Sequence, residues 1–196
     1  MNPFKKHPRF PYDQRGLKLH LGCGQQILEG WVNIDIKPFK NQVVVMKLPG
    51  DLARVKDGSV AFIYLSHCLE HLDYRTEAPH LVKECTRLLQ PGGAVRIVVP
   101  GIERIIRAYV ADDAAFFKIQ EQHHPAWCTT KMEHLMYALQ QDGEHKYGYD
   151  FVTASKLLKA GGFTKIVNSA YRQSEHKTLQ VDYRGENLSL FVEAVK

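Results

Sequence analysis

From Leu17 onward the apolar residues fall into short runs of four to six positions bounded by glycines or charges, alternating with longer stretches of helical spacing. That order predicts a mostly parallel sheet covered on both faces, the α/β class. The predicted strands are Leu17 to Leu21, Trp31 to Asp35, Val43 to Met46, Val60 to Leu65 and Ala94 to Val99. A long helix is predicted from Thr76 to Gln90, because Leu81, Val82, Cys85, Leu88 and Leu89 share one face and Lys83, Glu84 and Arg87 lie off it. Pro91-Gly92-Gly93 should stop it and turn the chain into the next strand. After Pro100, Ile102, Ile105, Ile106 and Tyr109 predict another helix. Asp150 and Thr153 are N-cap candidates for a helix through Leu157 and Leu158, ended by Gly161-Gly162. Thr164 to Ser169 and Leu188 to Ala194 read as the final strands.

Residues 111–147 break the rhythm. They carry Phe116, Phe117, His123, His124, Trp127, His134 and Tyr137, an aromatic and imidazole density that the strands lack. Two readings stay open: an insertion covering a pocket, or a helical pair capping the sheet. With 196 residues, one well-buried core is expected. The expected division is an N-terminal arm, residues 1–16, and one domain, residues 17–196. No apolar run approaches the roughly 20 residues that cross a bilayer, and MNPFKKHPRF lacks an apolar signal core. The four cysteines are scattered without a C-x-x-C pair, so neither a disulfide framework nor a zinc ribbon is suggested, and a cytoplasmic location is expected.

Charge changes the picture only locally. Of the net +5, residues 1–18 hold +4, from Lys5, Lys6, Arg9, Arg15 and Lys18 against Asp13. With Pro3, Pro8 and Pro11 nearby, this arm should be irregular, packing over a sheet edge or else contacting RNA or an acidic substrate. No RNA-binding or DNA-reading domain is recognisable in the rest.

The chemistry concentrates where strands end. LKLHLGCG, Leu17 to Gly24, runs a buried strand into Gly22 and Gly24, and Asp35 closes the second strand eleven positions after Gly24. Glycines let a backbone approach a ligand, and the carboxylate suits a ribose diol. A dinucleotide would need a third glycine, a full helix and an acidic residue about 20 positions on. Gln26 stands at the third glycine position, and Asp35 comes too early. The pattern therefore argues for a nucleoside ligand and against a dinucleotide.

At this point the chain resembles the class I S-adenosylmethionine-dependent methyltransferases, small bacterial members in particular, from about Leu17 to Val195. LHLGCG looks like their first motif, and Asp35 matches the acidic residue that holds the ribose. Asp51-Leu52 resembles the pair at the adenine. SHCLEHL, Ser66 to Leu72, falls at the end of their fourth strand, beside the methionine moiety. LVKECTRLLQPGGAVRIVVP, Leu81 to Pro100, resembles their helix, turn and fifth strand, and HKYGYDFVTASKLLKAGGF, His145 to Phe163, the approach to their last helix. The resemblance implies a single-domain, Rossmann-like, doubly wound sheet with an antiparallel last strand. It implies S-adenosylmethionine as cofactor, with Gly22, Cys23, Gly24, Asp35, Ile36, Asp51, Leu52, Ser66 and His67 as its contacts. Three positions depart from the pattern: His20 replaces an acidic residue, Tyr64 an aspartate, and Gly101 an aspartate.

Methyl transfer is an in-line displacement at a sulfonium carbon, so alignment supplies much of the rate and a base is optional. Where the acceptor is a hydroxyl or amine, a neutral imidazole is the natural base near pH 7. His71, His145 and Tyr149 are the catalytic candidates, with His123 and His124 behind them. Each also has a plain structural reading, as a loop-holding or edge residue. Arg107, Arg172 and Arg184 could hold an acidic or sugar-linked acceptor. The expected acceptor is a small or medium-sized molecule methylated on oxygen or nitrogen, and saccharide-linked by analogy with the small bacterial members. Nucleic acid is not expected as substrate, nor insertion into a membrane, and the oligomeric state stays open. Two alternatives remain: a non-catalytic module binding the cofactor or another nucleoside, as sensor or partner subunit, and a zinc hydrolase. The latter rests on His67-Cys68-Leu69-Glu70-His71, which fits H-x-x-E-H. Its setting after a glycine loop speaks against a metalloprotease, and no metal site is expected.

Overall fold

Leu17, Leu19 and Leu21 of β1 (Leu17–Leu21) point one way into the core, while Lys18 and His20 point the other, and this alternation organises the whole sheet. The protein is described by a computed structural model, which places residues 7–185 and 188–196. β2 (Val32–Asp35), β3 (Val43–Val45), β4 (Val60–Ser66), β5 (Leu89–Pro100), β6 (Lys165–Ser169) and β7 (Ser189–Val195) complete a seven-stranded sheet in the order β3-β2-β1-β4-β5-β7-β6. β7 runs antiparallel to both its neighbours, and the other pairings are parallel. The sheet is thus the mostly parallel one expected, with its last strand reversed.

One face is covered by helices. α1 (Glu77–Leu88) buries Ala78, Leu81, Val82, Cys85 and Leu88. After α2 (Ile102–Val110), α3 (Ala114–Gln120) and α4 (Lys131–Gln140) comes α5 (Phe151–Ala160), which buries Ala154, Leu157 and Leu158 in the same core. Asp150 caps α5, its carboxylate accepting from Thr153 N at 2.7 Å. α5 and α1 meet so closely that a Cβ on Gly161 would lie 2.2 Å from Val82 Cγ1. Helix α1 stops two residues short of the expected Gln90, because Leu89 pairs with Val60 in the sheet. Pro91-Gly92-Gly93 is not a turn before the strand: it bulges within β5, between the pairs Val60–Leu89 and Phe62–Ala94.

The other face is covered by irregular chain. Tyr64, Val98 and Phe191 pack against Leu28, Trp31, Tyr171, Val181 and Tyr183, from the β1–β2 connection and from residues 170–183. No helix forms between β1 and β2. There Asn33 holds the loop, accepting from Leu28 N and donating to Leu28 O and Trp31 O. Arg96, wholly buried, pins the second segment. It donates to both carboxylate oxygens of Asp182 at 2.8 and 2.6 Å, and to the carbonyls of Ala170 and Gln173.

Residues 111–147 prove more ordered than their pattern suggested. α2 (Ile102–Val110) leads into α3 (Ala114–Gln120), capped by Asp113, and α4 (Lys131–Gln140), opened by a Thr130–Glu133 capping box. In the described part of the arm, Phe10 is buried in the main core. Pro3, Lys5 and Lys6 lie outside the described residues. Among the described residues, no helix is long and apolar enough to cross a membrane.

Candidate active site

The ends of β1, β2, β4 and β5 lie along one edge of the sheet, where ligands of open α/β sheets bind. Gly22 and Gly24 follow β1 with φ of +65° and +53°, in the left-handed region that L side chains resist. A Cβ on Gly22 would sit 2.4 Å from Cys68 Sγ, so this glycine lets the β1 and β4 loops close on each other. Above Gly24 the space is open, with nothing within 4 Å of the position a Cβ would take. Gly24 N donates to Asp35 Oδ2 at 2.8 Å, and Lys37 N to Oδ1 at 3.0 Å. Each carboxylate oxygen keeps a lone pair for a further donor, such as a diol. Ile36, next to it, is 58% exposed and offers an uncovered apolar side chain. Cys23 is buried, with its thiol pushed up to about 12, chiefly by burial, and its N–H donates to Ile34 O.

Asp51 and Leu52 stand differently. The Asp51 carboxylate accepts from Lys47 N at 2.7 Å and pairs with Arg54, so it closes its own turn. Leu52 is fully buried. Ser66 ends β4 with its hydroxyl buried and unpartnered. His67 follows with φ +51° and a Ser189 Oγ contact at 3.0 Å through Nε2. Burial, reinforced by Arg184, His145 and His71, depresses its pKa to about 3, which keeps it neutral.

His67 also belongs to the wall of an adjoining cavity of about 280 Å³. This cavity collects His71 and His145 beside it, Pro100 and Gly101 from the end of β5, and Arg184. Phe116, Gln120, His123, His124 and Tyr137 from residues 111–147 form its far wall. The His71 and His145 rings meet edge to face at 5.0 Å. His145 arrives there because Lys146 N and Tyr147 N both donate to the Glu70 carbonyl, at 2.8 and 3.2 Å. Glu70 itself is fully buried, with both carboxylate oxygens unpartnered and its pKa raised to about 8 by burial. In the sequence Glu70 stands within SHCLEHL and H-x-x-E-H without a role of its own, and the segment does not form an α-helix: Leu69–His71 make a single 3-10 turn.

Tyr149 is not brought into this cavity. Its ring is buried against Tyr74 and Tyr147, with the hydroxyl unpartnered, and it faces a neighbouring hollow beyond Gly101. Among the arginines, Arg184 lines the cavity, Arg107 is paired with Glu103, and Arg172 donates to the Asp182 carbonyl. The three departures from the motif pattern have structural partners. His20 Nδ1 donates to Asn33 Oδ1 at 3.1 Å, leaving Nε2 to accept from Tyr183 OH at 3.3 Å. Tyr64 packs among His20, Trp31 and Tyr183. Gly101 opens α2, where a Cβ would lie 3.3 Å from the Ser189 backbone.

Residues 19–97, from β1 into β5, match the family model of a methyltransferase domain. The chain has the class I S-adenosylmethionine-dependent methyltransferase fold. A methyltransferase of this type from Archaeoglobus fulgidus superposes with a TM-score of 0.58 at 17% identity, over 94% of this chain and 87% of that one. A possible histamine N-methyltransferase from Thermotoga maritima gives 0.53 at 15% identity, over 93% and 82%. Phosphoethanolamine N-methyltransferase 2 of Haemonchus contortus, solved with S-adenosylmethionine, gives 0.51 at 14% identity, over 95% of this chain but 50% of that one. No curated protein sequence matches significantly. In this methyltransferase fold the glycine loop, Asp35 and the cavity at the ends of β4 and β5 occupy one continuous edge.

Proposed function

We propose that the protein is an S-adenosylmethionine-dependent methyltransferase acting on an oxygen or nitrogen of a small or medium-sized acceptor. The observation that carries the reading is the joint between Gly24 and Asp35, open above the glycine and with free lone pairs on the carboxylate. The residues fit the cofactor: Asp35 would accept from the ribose hydroxyls, Ile36 would lie against the adenine, and the Gly22–Gly24 backbone and Ser66 would face the methionine moiety. Asp51 and Leu52 would serve by shaping the turn below the adenine rather than by direct contact. When bound, the cofactor supplies an electrophilic methyl group on a sulfonium.

The chain's own residues then do the positioning. His67, neutral and fixed by Ser189, stands between the cofactor edge and the cavity, where it can orient the acceptor. His71 Nδ1 donates to Glu144 O and His145 Nδ1 to Ala138 O, which leaves each Nε2 as a bare acceptor. Tyr149 packs on Tyr147, two residues after His145, and steadies that segment from below. The imidazole-lined cavity would hold the acceptor in line, the largest source of rate in such a displacement. Arg184 favours an acceptor with anionic or hydroxyl-rich character, and a saccharide-linked one fits that lining.

Calorimetry with S-adenosylmethionine and S-adenosylhomocysteine tests the reading. Both should bind, and Asp35→Ala should weaken them by about 1–3 kcal/mol, the scale of hydrogen bonds to a charged group. Failure of both ligands to bind would overturn it. Binding without turnover on any acceptor would favour a non-catalytic module.

A further inference from the structure

A carboxyl group fully buried with no hydrogen-bond partner is costly, and a fold retains one only for a reason. Glu70 is such a group: it has no exposure, and neither oxygen has a partner. Two imidazole nitrogens approach its Oε1, His67 Nδ1 at 3.5 Å and His145 Nε2 at 3.9 Å, and His145 Nε2 is itself buried and unpartnered. Ligand atoms of Glu70, His71 and His145 all lie within 4.8 Å of one another. The two outer imidazoles are oriented as metal ligands are. Each donates its Nδ1–H to a backbone carbonyl, Glu144 O for His71 and Ala138 O for His145, which fixes the tautomer and leaves Nε2 bare. The main chain holds them there, through the bonds from Lys146 N and Tyr147 N to the Glu70 carbonyl.

We propose that Glu70, His71 and His145 bind a divalent first-row transition ion on the acceptor side of the site. Two imidazole nitrogens and one carboxylate oxygen form a ligand set that suits such ions, and three protein ligands leave coordination positions open. His71 and His145 line the cavity, so those positions face the acceptor. This deepens the methyltransferase reading and rests on it for its chemistry. The ion would act as a Lewis acid on an acceptor hydroxyl, lowering its pKa so that the proton leaves to solvent. The acceptor oxygen then gains the methyl carbon, and the carbon–sulfur bond breaks with its electron pair passing to sulfur. Nothing is oxidised or reduced. His71 and His145 would thus work on the acceptor through the ion rather than by taking its proton.

A second group, His124, Cys128 and His134, lies within the same ligand distance and provides the internal control. The test titrates the metal-stripped full chain with cobalt(II), read by visible absorption, and with zinc(II), read by calorimetry. Circular dichroism and S-adenosylhomocysteine calorimetry run on the same samples. One equivalent should bind without a thiolate charge-transfer band. Glu70→Gln and His145→Gln should each weaken it at least a hundredfold, and His134→Ala should leave it unchanged. Absence of stoichiometric binding, a thiolate band, or loss in His134→Ala but not in Glu70→Gln would overturn the proposal. Should Glu70→Gln lose its fold by circular dichroism, His71→Gln takes its place with the same expectation. Metal binding without S-adenosylhomocysteine binding would remove the methyltransferase reading and leave the metal site standing. The reverse result would remove the metal site alone.

Discussion

Gly22 and Cys68 occupy adjoining space, a Cβ on the first falling 2.4 Å from the sulfur of the second and 2.7 Å from its Cβ. The β1 loop and the β4 loop therefore touch only because residue 22 has no side chain. Gly22→Ala must push them apart and also hold a side chain at φ +65°, a left-handed conformation costing roughly 1–2 kcal/mol. S-adenosylhomocysteine affinity should fall at least tenfold. Adding Cys68→Ala should not restore it, because the Cys68 Cβ alone still collides. Calorimetry on the single and double variants gives the answer, and full affinity in Gly22→Ala would show that the loops need not meet.

The Arg96–Asp182 pair should be a main anchor of residues 170–183. Both side chains are fully buried, so removing one leaves the other charge without its partner. Loss of one partner in such a pair typically costs about 3–5 kcal/mol. Asp182→Ala should lose stability on that scale in urea unfolding, with faster hydrogen exchange in residues 170–183. A loss below about 1 kcal/mol, the scale of an exposed pair, would mean that Glu193, 3.3 Å from Arg96, carries the pairing.

Acid should destabilise the fold through His20. Burial depresses its pKa from 6.5 to about 4. Above pH 6.5 both folded and unfolded chains hold it neutral, and its contribution is fully present. Between 6.5 and about 4 the unfolded chain takes up a proton that the folded one refuses, so stability falls with pH. The full loss approaches about 3 kcal/mol, because each tenfold difference in proton affinity between the folded and unfolded chains is worth roughly 1.4 kcal/mol. His20→Gln should flatten the stability profile across that window, measured by urea unfolding at several pH values. An unchanged slope would assign the acid sensitivity to other buried histidines.

Helix α4 depends on its start. Thr130→Ala removes the acceptor for Glu133 N and half of the capping box, and should cost about 1 kcal/mol. Thermal unfolding measures it. Because α4 contributes Tyr137 and Ala138 to the cavity, acceptor binding should suffer more than S-adenosylhomocysteine binding.

The strands and the Gly24–Asp35 joint were legible because each is a local pattern: a period of two, a glycine, a carboxylate at a strand end. Leu89 was misread as helical because its spacing continued that of α1, whereas pairing with Val60, distant in sequence, pulls it into β5. Residues 111–147 carried a readable signal in Thr130-x-x-Glu133, overshadowed by their mix of aromatics and histidines. The cover on the second face could not be read, since Arg96 finds Asp182 across 86 positions. Glu70 was visible in a motif, but its isolation from any donor exists only in three dimensions.

The family match ends at residue 97, inside β5, and the cavity's far wall is built from chain beyond that point. The molecule is accordingly a shared frame with an exchangeable wall. Chain after β5 can therefore vary this wall without disturbing the Gly24–Asp35 joint, and His67, which follows β4 and lines the cavity, is the residue the two parts share.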